Sequence, residues 1–403
     1  MSGAPTAAQE VQRLLRPDLR GRTAYGAPQL DVPVRLNTNE NSYPVPQAVV
    51  DAVLEALAGE VGSLNRYPDR DFTDLRKALT AYLGQQSGVT LSPEQLWAGN
   101  GSNEVLSHVV QAFGGHGRVA LGFTPSYSMH PIISETHGMT WVDGLRGVSS
   151  GDGVAVGAGR FDLTAESAAE QARAHAPSVV FLCSPNNPTG TALPFEVIGA
   201  VLEAAPDAIV VVDEAYAEFA RPGTRSALTL LEQHPRLVVT RTMSKAFAFA
   251  GGRLGYLAAA PEVIDALRLV RLPYHLSSPT QTIARVALEH ADVMLGTVEV
   301  IKGQRDRIVT DLARLGATPV ASDSNFVLFG GLHDERATWQ ALLEHGVLVR
   351  DMGIAHHLRV TAGDPDETTA FLTAIAHLAP THVDRSPAGP ATDPPTDVQE
   401  RDA

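Results

Sequence analysis

Cysteine and long apolar runs are the features that this sequence lacks most clearly. Its 403 residues contain one cysteine, Cys183, and no apolar run approaches the roughly 18 residues that cross a bilayer. A single cysteine excludes an internal disulfide framework and is typical of a reducing compartment. Residues 1–20 have no apolar core of the signal-peptide type. We therefore expect a soluble cytoplasmic protein.

Positive charge is also scarce. Lys and Arg total 31 against 45 Asp and Glu, the formal net charge is −14, and no basic run occurs. Because nucleic-acid backbones are bound through clustered Lys and Arg, nucleic acid is not an expected partner. We predict no metal site. The hydrophobic content of 44% and the length are typical of a soluble enzyme with more than one domain.

Short apolar runs alternate with longer helical patterns through the middle of the chain. Runs such as 208–212 are apolar on both faces, which indicates a parallel sheet covered by helices. This alternation predicts an α/β domain. Its predicted strands are Gln95 to Ala98, Arg118 to Phe123, Ser178 to Cys183, Ala208 to Val212, Arg236 to Thr240 and Arg253 to Ala258. The predicted helices include Glu104 to Phe113, Glu166 to His175 and Pro194 to Ala205.

After about residue 290 the pattern predicts a smaller α+β domain, which the N-terminal segment from Val34 onward completes. Its predicted elements are a long helix at Val293 to Leu315, strands at Phe326 to Phe329, Val347 to Arg350 and Leu358 to Val360, and helices at Ala337 to Glu344 and Glu367 to Leu378. The Pro-rich end predicts a disordered tail. The expected organisation is an N-terminal arm (1–30), the first part of the small domain with a linker (31–65), a large domain (66–290), the rest of the small domain (291–380) and the tail (381–403).

Polar side chains follow five of the predicted strands at their C-terminal ends. They are Ser102 with Asn103, Tyr127, Asn187, Asp213 with Tyr216, and Lys245. In open parallel α/β sheets, ligands bind at this edge. We therefore expect these side chains to form one site.

Lys245 is the most informative of these residues. Because it follows a buried strand, partial desolvation would lower the pKa of its amine and make it a nucleophile for aldehydes. Ser244 and Arg253 on either side suit a phosphate. An aldehyde that carries a phosphate is pyridoxal phosphate (PLP), which is bound through a Schiff-base lysine and an acidic partner for its ring nitrogen. The alternative is a surface lysine near an arginine.

Each remaining strand-end residue has a role at such a cofactor and a simpler alternative. Asp213 suits a protonated pyridine nitrogen, or it caps a helix. Ser102 suits a phosphate at a helix N-terminus, or it is an ordinary N-cap. Asn187 and Tyr216 suit a phenolate oxygen, with an Asn-Pro turn as the alternative for Asn187. Tyr127 stacks on the ring, or it is a core aromatic.

The ordered motifs NGSNE, PSY, SPNNPTG, VVDEAY, TMSKAFAFAGGRLGY and LRVTAG resemble those of fold-type I PLP-dependent aminotransferases. Within that fold type the chain is most similar to the histidinol-phosphate aminotransferase family. Further matches are LNTNEN, RYPD and SNFV, and the likeness covers about residues 16–378. It implies a large domain with a mostly parallel sheet, a smaller α+β domain, and a homodimer with shared sites.

The resemblance implies a role for each residue at the cofactor. Lys245 binds the cofactor covalently and moves a proton, and Asp213 pairs with the pyridinium nitrogen. Asn187 and Tyr216 hold the phenolate oxygen, and Tyr127 stacks on the ring. The residues assigned to the cofactor phosphate are Ser102, Asn103, Ser244 and Arg253, with Tyr67 from the neighbouring subunit, and Thr242 is a further cofactor contact.

The resemblance also implies how the substrate is held. Arg359 grips the phosphate of histidinol phosphate or a carboxylate of glutamate, and Arg350 assists, because planar guanidinium forks donate two hydrogen bonds at once. Asn39 and, in the N-terminal arm, Tyr25 are further candidate substrate contacts. One departure is Asn103, which stands where many relatives have aspartate.

The implied reaction is amino transfer from L-glutamate to imidazole acetol phosphate, which gives 2-oxoglutarate and L-histidinol phosphate in histidine biosynthesis. The nearest alternative is an aromatic amino-acid aminotransferase, because such enzymes share most of the motifs. A decarboxylase of a phosphorylated amino acid and a non-catalytic regulator of the same fold are the more distant alternatives.

Overall fold

A computed structural model describes residues 6–24, 26–147, 149–150, 153–154 and 161–384. Two predictions concern residues outside these ranges: the substrate contact at Tyr25 and the tail from residue 385 onward. Among the described residues, a seven-stranded sheet and a four-stranded sheet organise the chain.

The seven-stranded sheet forms the larger part of the molecule. Its strands are β2 (Leu96–Gly99), β3 (Val119–Thr124), β4 (Thr140–Leu145), β7 (Val179–Cys183), β8 (Ile209–Asp213), β9 (Leu237–Thr242) and β10 (Gly255–Ala259). Their order is β2-β10-β9-β8-β7-β3-β4. Strand β10 is antiparallel to both neighbours, and the other strands run parallel to one another. All six predicted strands are confirmed with slightly shifted ends, and β4 is an addition to them.

Helices enclose this sheet because its strands are apolar on both faces. Strands β2, β7, β8, β9 and β10 are buried along their whole length, as expected of a sheet with both faces covered. The helices of this part are α3 (Thr73–Ser87), α4 (Ser102–Phe113), α5 (Met129–Thr136), α6 (Ala165–His175), α7 (Phe195–Ala204), α8 (Pro261–Val270) and α9 (Ser278–Glu289). A short helix α1 (Ala7–Leu14) and the helix α2 (Gln47–Val61) precede them, and α2 packs on α9. The C-terminal ends of β2, β3, β7, β8 and β9 meet at one edge of the sheet.

The four-stranded sheet is antiparallel. Its strands are β11 (Thr318–Pro319), β12 (Phe326–Gly330), β14 (Arg350–Asp351) and β15 (Leu358–Thr361), and the nearby helices are α10 (Ala291–Met294), α11 (Val298–Arg314), α12 (Glu335–Glu344) and α13 (Pro365–His382). The strand order is β11-β12-β15-β14. Two further pairs are β1 (Val34–Arg35), parallel to β13 (Val347–Leu348), and the hairpin of β5 (Ser149–Ser150) and β6 (Gly153–Val154). The pairing of β1 with β13 places the segment from Val34 beside the C-terminal part of the chain.

Two predicted helices have different bounds. The predicted helix from Val293 to Leu315 is interrupted by a 3₁₀ turn at Leu295–Thr297, where Gly296 lowers the helix propensity. Helix α13 continues past its predicted end to His382, so the segment predicted as tail begins in a helix. Burial of Ala379 and Val383 stabilises this last turn, although Pro380 removes one backbone donor.

Candidate active site

One cavity of about 440 Å³ opens at the edge where the five strands end. Its walls come from the large sheet, from the four-stranded sheet and from the segment 37–40. The lining includes these predicted site residues: Asn39, Ser102, Asn103, Tyr127, Asn187, Asp213, Tyr216, Thr242, Ser244, Lys245, Arg253, Arg350 and Arg359. Residues that are far apart in the sequence are therefore brought together as the strand-end pattern predicts.

Lys245 follows β9 and points its amine across the cavity. Its Nζ donates a hydrogen bond to the Thr38 carbonyl oxygen at 2.9 Å. Desolvation by the surrounding protein, and then the nearby Arg359 guanidinium, lower the pKa of this amine from 10.5 to about 8. The Glu40 carboxylate opposes that shift. A substantial fraction of the amine is therefore neutral, and nucleophilic, near physiological pH.

Asp213 ends β8 and is buried, so its carboxylate needs partners. Its Oδ1 accepts a hydrogen bond from Thr240 Oγ1 at 3.0 Å, and its Oδ2 lies 3.1 Å from His130 Nε2. The His130 ring stacks on Phe181, with ring centres 4.7 Å apart. Neither contact is a helix cap, so the capping alternative is wrong. The result is an oriented carboxylate at the floor of the cavity, suited to a cationic ring nitrogen.

His130 is a member of this site that the strand-end pattern does not find, because it lies on α5 instead of at a strand end. The sequence feature that could have identified it is its spacing: His130 follows Tyr127 by three residues, so the start of a helix there puts both side chains on the same face. The two rings are in edge contact, with centres 5.3 Å apart. Tyr127 is half-buried, and its hydroxyl donates to Asn103 Oδ1 at 3.2 Å. It thus faces the cavity, contrary to the core-aromatic alternative.

Tyr216 and two asparagines form a polar group beside Asp213. The Tyr216 oxygen accepts hydrogen bonds from Asn39 Nδ2 at 3.0 Å and from Asn187 Nδ2 at 3.4 Å. Burial raises the pKa of the Tyr216 phenol to about 12. The phenol therefore keeps its proton at neutral pH and is able to donate it in a hydrogen bond to an oxygen in the cavity.

The start of α4 and the turn after β9 form an anion cradle. Ser102 is the first helical residue, and the N-cap is Gly101, whose backbone φ is 87° and which makes no side-chain cap. The alternative that Ser102 caps the helix is therefore wrong, and the first N–H groups of α4 remain available to an anion. A Cβ on Gly101 would overlap the Arg253 guanidinium, so glycine allows that side chain to approach. Arg253 Nη1 lies 3.5 Å from Ser244 Oγ.

Two arginines occupy the side of the cavity formed by the four-stranded sheet. Arg359 on β15 stands directly opposite Arg350 on the edge strand β14. Arg359 is buried and donates to Asn187 Oδ1 and to the Asn37 carbonyl oxygen, and its guanidinium lies 5.1 Å from the Phe326 ring centre. Like charges directly opposite in a ladder are destabilising, so the pair favours an anionic ligand between them.

The segment Asn37–Asn41 contacts groups on both walls of the cavity. Its backbone carbonyls accept hydrogen bonds from Arg359 and Lys245. Its Asn39 exchanges hydrogen bonds with Thr361 and donates one to the Tyr216 oxygen. Asn41 Nδ2 donates to the Ala246 carbonyl oxygen. The sequence motif predicts a substrate role only for Asn39, because backbone carbonyl contacts leave no residue-type signal.

Tyr67 is a predicted phosphate contact that the cavity does not include. It is 80% exposed and stacks on Tyr274, with ring centres 4.4 Å apart. The other predicted contact outside the cavity, Tyr25, lies outside the described residues. Within a single chain, therefore, the predicted phosphate site lacks its tyrosine.

A desolvated amine, a buried carboxylate and an anion cradle in one cavity at the C-terminal edge of an α/β sheet define the site of an enzyme that uses a phosphate-bearing aldehyde such as PLP. The family model of aminotransferase class I and II matches residues 32–375. Histidinol-phosphate aminotransferases of Paenarthrobacter aurescens and Frankia casuarinae are 58% and 57% identical to the chain. The first match covers 92% of this chain and 96% of the relative, and the second covers 90% and 89%. The chain therefore belongs to the class I and II aminotransferases, and within them to the histidinol-phosphate aminotransferase family.

Solved structures show the same fold. A histidinol-phosphate aminotransferase from Sinorhizobium meliloti, in complex with pyridoxal-5'-phosphate, has a TM-score of 0.74 at 24% identity and covers 87% of this chain and 92% of its own. An aspartate aminotransferase from Thermus thermophilus with maleate has a TM-score of 0.71 at 24% identity. The match covers 86% of this chain and 91% of the aspartate aminotransferase chain. The predicted fold class, a fold-type I transferase, is confirmed. No helix within the described ranges is long and apolar enough to cross a membrane.

Proposed function

We propose that the protein is a PLP-dependent transaminase that converts L-histidinol phosphate and 2-oxoglutarate into imidazole acetol phosphate and L-glutamate, reversibly, in histidine biosynthesis. The observation that carries the proposal is the Arg359–Arg350 pair in the same cavity as the Lys245 amine. Paired guanidiniums suit a substrate phosphate or carboxylate. The names of relatives at 52–58% identity support the same substrate. An aromatic amino-acid substrate has no support of this kind.

The donor set fits PLP. Asp213 would hold the protonated ring nitrogen, Asn187 and Tyr216 the phenolate oxygen, and Tyr127 one face of the ring. The phosphate would be held by Ser102, Asn103, Thr242, Ser244 and Arg253. When bound, PLP supplies an aldehyde for the substrate amine and a ring that accepts electrons from the substrate α-carbon.

The residues of the chain then have separate tasks. Lys245 Nζ removes the proton from the substrate α-carbon, for which a pKa of about 8 is well matched to neutral pH. Asp213, held by His130 and Thr240, keeps a proton at the ring nitrogen. Arg359, assisted by Arg350, fixes the substrate phosphate or carboxylate so that the α-hydrogen faces the amine.

We also propose that the protein is a homodimer with shared active sites and that it is located in the cytoplasm. Tyr67 stacks outside its own cavity, and the two segments that carry Tyr67 and Tyr274 also expose Leu64, Leu269 and Leu272. Exposed large apolar side chains are typical of an interface. Tyr67 would then reach the cofactor phosphate of the neighbouring subunit. The domain bounds stay as predicted, with 66–290 as the large domain.

The proposal is tested by mixing the PLP-loaded protein with L-histidinol phosphate and, separately, with L-phenylalanine. We expect the cofactor absorbance to convert to that of pyridoxamine phosphate far faster with L-histidinol phosphate. Faster conversion with L-phenylalanine would move the assignment to an aromatic aminotransferase. Conversion with neither amine would argue against transamination itself.

A further inference from the structure

Glu40 places a carboxylate at the open end of the active-site cavity. The residue lines the cavity and is exposed, whereas the other lining carboxylate, Asp213, is buried at the floor. Thr38 Oγ1 donates to Glu40 Oε2 at 3.0 Å. Among the described residues Glu40 forms no ion pair, although arginines share the same cavity. An accepting group is therefore presented to whatever enters the cavity.

The neighbours of Glu40 fix its position. Before it, the Thr38 carbonyl oxygen accepts a hydrogen bond from the Lys245 amine, and Asn39 donates one to the Tyr216 oxygen and takes a left-handed backbone φ of 56°. After it, Asn41 Nδ2 donates to the Ala246 carbonyl oxygen and to Thr297 Oγ1. Asn325 Nδ2 donates to the Asn39 carbonyl oxygen, and this contact is buried. Because the residues on both sides of Glu40 are hydrogen-bonded to the surrounding protein, its backbone is held in place, and the Thr38 hydroxyl orients its carboxylate.

Each charged group in the cavity suits a different part of the bound molecules. Arg253 lies in the cradle for the cofactor phosphate, and Arg359 with Arg350 suits the substrate phosphate. The group of L-histidinol phosphate that remains without a partner is its imidazole, whose ring N–H is a donor. An ionised carboxylate is an acceptor only, so it is complementary to that N–H. A phenyl ring offers no donor and would desolvate the carboxylate without compensation.

We propose that Glu40 is a specificity-determining residue that accepts a hydrogen bond from the imidazole N–H of the substrate and thereby favours L-histidinol phosphate over an amine whose side chain lacks such a donor. This inference rests on the proposed function. It adds the recognition of the ring to the recognition of the phosphate. The same carboxylate would repel the side-chain carboxylate of glutamate, so the two amino donors respond to it in opposite directions.

The test compares Glu40→Ala and Glu40→Gln with the unmodified holoenzyme, and measures kcat/KM for L-histidinol phosphate and for L-glutamate. We expect the ratio of the two values to fall about 10- to 100-fold in Glu40→Ala, the range for loss of a hydrogen bond to a charged group. L-Glutamate turnover stays equal or rises. Glu232→Gln removes an exposed carboxylate outside the cavity and should leave the ratio unchanged.

Effects through Lys245 cancel in this ratio, because they act on both substrates. A pH series gives an independent readout: the carboxylate favours the protonated imidazole, whose pKa is about 6.5. The KM for L-histidinol phosphate in Glu40→Gln should therefore rise relative to the unmodified enzyme as pH falls from about 8 to 6. An unchanged ratio, whether or not both values fall, would overturn the role of Glu40 and leave the proposed function intact. Absence of L-histidinol phosphate turnover in the unmodified enzyme would overturn the proposed function with it.

Discussion

The two walls of the active-site cavity are built differently. The wall from the large sheet carries Asp213 in the middle of a seven-stranded sheet, with both carboxylate oxygens bonded by buried partners. The opposite wall carries Arg350 on a two-residue edge strand, and Glu40 on an irregular segment. The first wall suits a cofactor that stays in place through each turnover. The second suits two different substrates that bind and leave in turn.

Burial differs within the second wall as well as between the two walls. Asp213 is 2% exposed, and Arg359, on an inner strand, is 5% exposed, whereas Arg350 on the edge strand is half-buried. Groups that are fixed by buried bonds are already oriented before the ligand arrives, which lowers the cost of reaching the transition state. Substitutions on the cofactor wall should therefore reduce the rate of the chemical step, and those on the substrate wall should mainly weaken substrate binding.

The largest effect is expected for Lys245→Ala. The variant loses the amine that we propose attacks the aldehyde and moves the proton, so turnover should fall below detection while the protein still folds. Steady-state kinetics and circular dichroism test both statements. Lys77→Ala, an exposed lysine paired with Asp74, is the matched control. Near-full turnover by Lys245→Ala would remove the assigned role.

Asp213→Asn should reduce kcat about 100-fold, comparable to the loss of one preorganised electrostatic partner. Asparagine keeps the shape but does not stabilise a charge on the ring nitrogen. KM should change little, because the residue lies on the cofactor wall. The measurement is kcat and KM with the cofactor content checked by absorbance. An unchanged kcat in fully loaded protein would contradict the difference between the walls.

Arg359→Ala should lower kcat/KM about 10- to 100-fold for both L-histidinol phosphate and L-glutamate, mainly through KM, because each loses a charge-assisted hydrogen bond. Arg350→Ala should have a smaller effect, about tenfold or less, since that side chain is only half-buried. Arg359→Ala removes the hydrogen bond to Asn187 Oδ1, but Asn187 keeps its bond to Tyr216, so cofactor affinity should change little in either variant. Arg336→Ala, outside the cavity, is the control. Loss of the cofactor from Arg359→Ala would show that cofactor binding depends on the substrate wall as well as on the cofactor wall.

The last prediction concerns pH and needs no substitution. Covalent capture of PLP by the cofactor-free enzyme requires the neutral Lys245 amine, and the pKa of that amine is lowered to about 8. The capture rate should therefore rise about tenfold per pH unit below 8, one proton being lost, and level off above it. Rapid mixing at pH 6 to 10 measures this by absorbance. A rate that keeps rising towards pH 10.5, the ordinary lysine value, would show that the cavity does not desolvate the amine.

The cofactor wall is largely predictable from the sequence, and the substrate wall much less so. Asp213 and Lys245 each follow an apolar run, residues 209–212 in the case of Asp213. Because the two runs form neighbouring parallel strands, their C-terminal ends lie at the same edge of the sheet. The placement of Asn37–Asn41 depends on a long-range pairing, β1 with β13, that no local pattern encodes. The contact of His130 with Asp213 depends on tertiary packing of α5. Local periodicity therefore predicts strand ends better than it predicts their partners.

Strand β10 runs against its neighbours, so Arg253 just before it arrives at the edge where Ser102 leaves β2. Gly255 makes this meeting possible, because any side chain there would collide with the backbone of Ser102. The anion cradle thus closes only after positions near 100 and near 250 of the chain have met. A polypeptide cut short before Gly255 has strands but no closed cradle. A chain therefore completes its anion cradle only once it extends past its reversed strand.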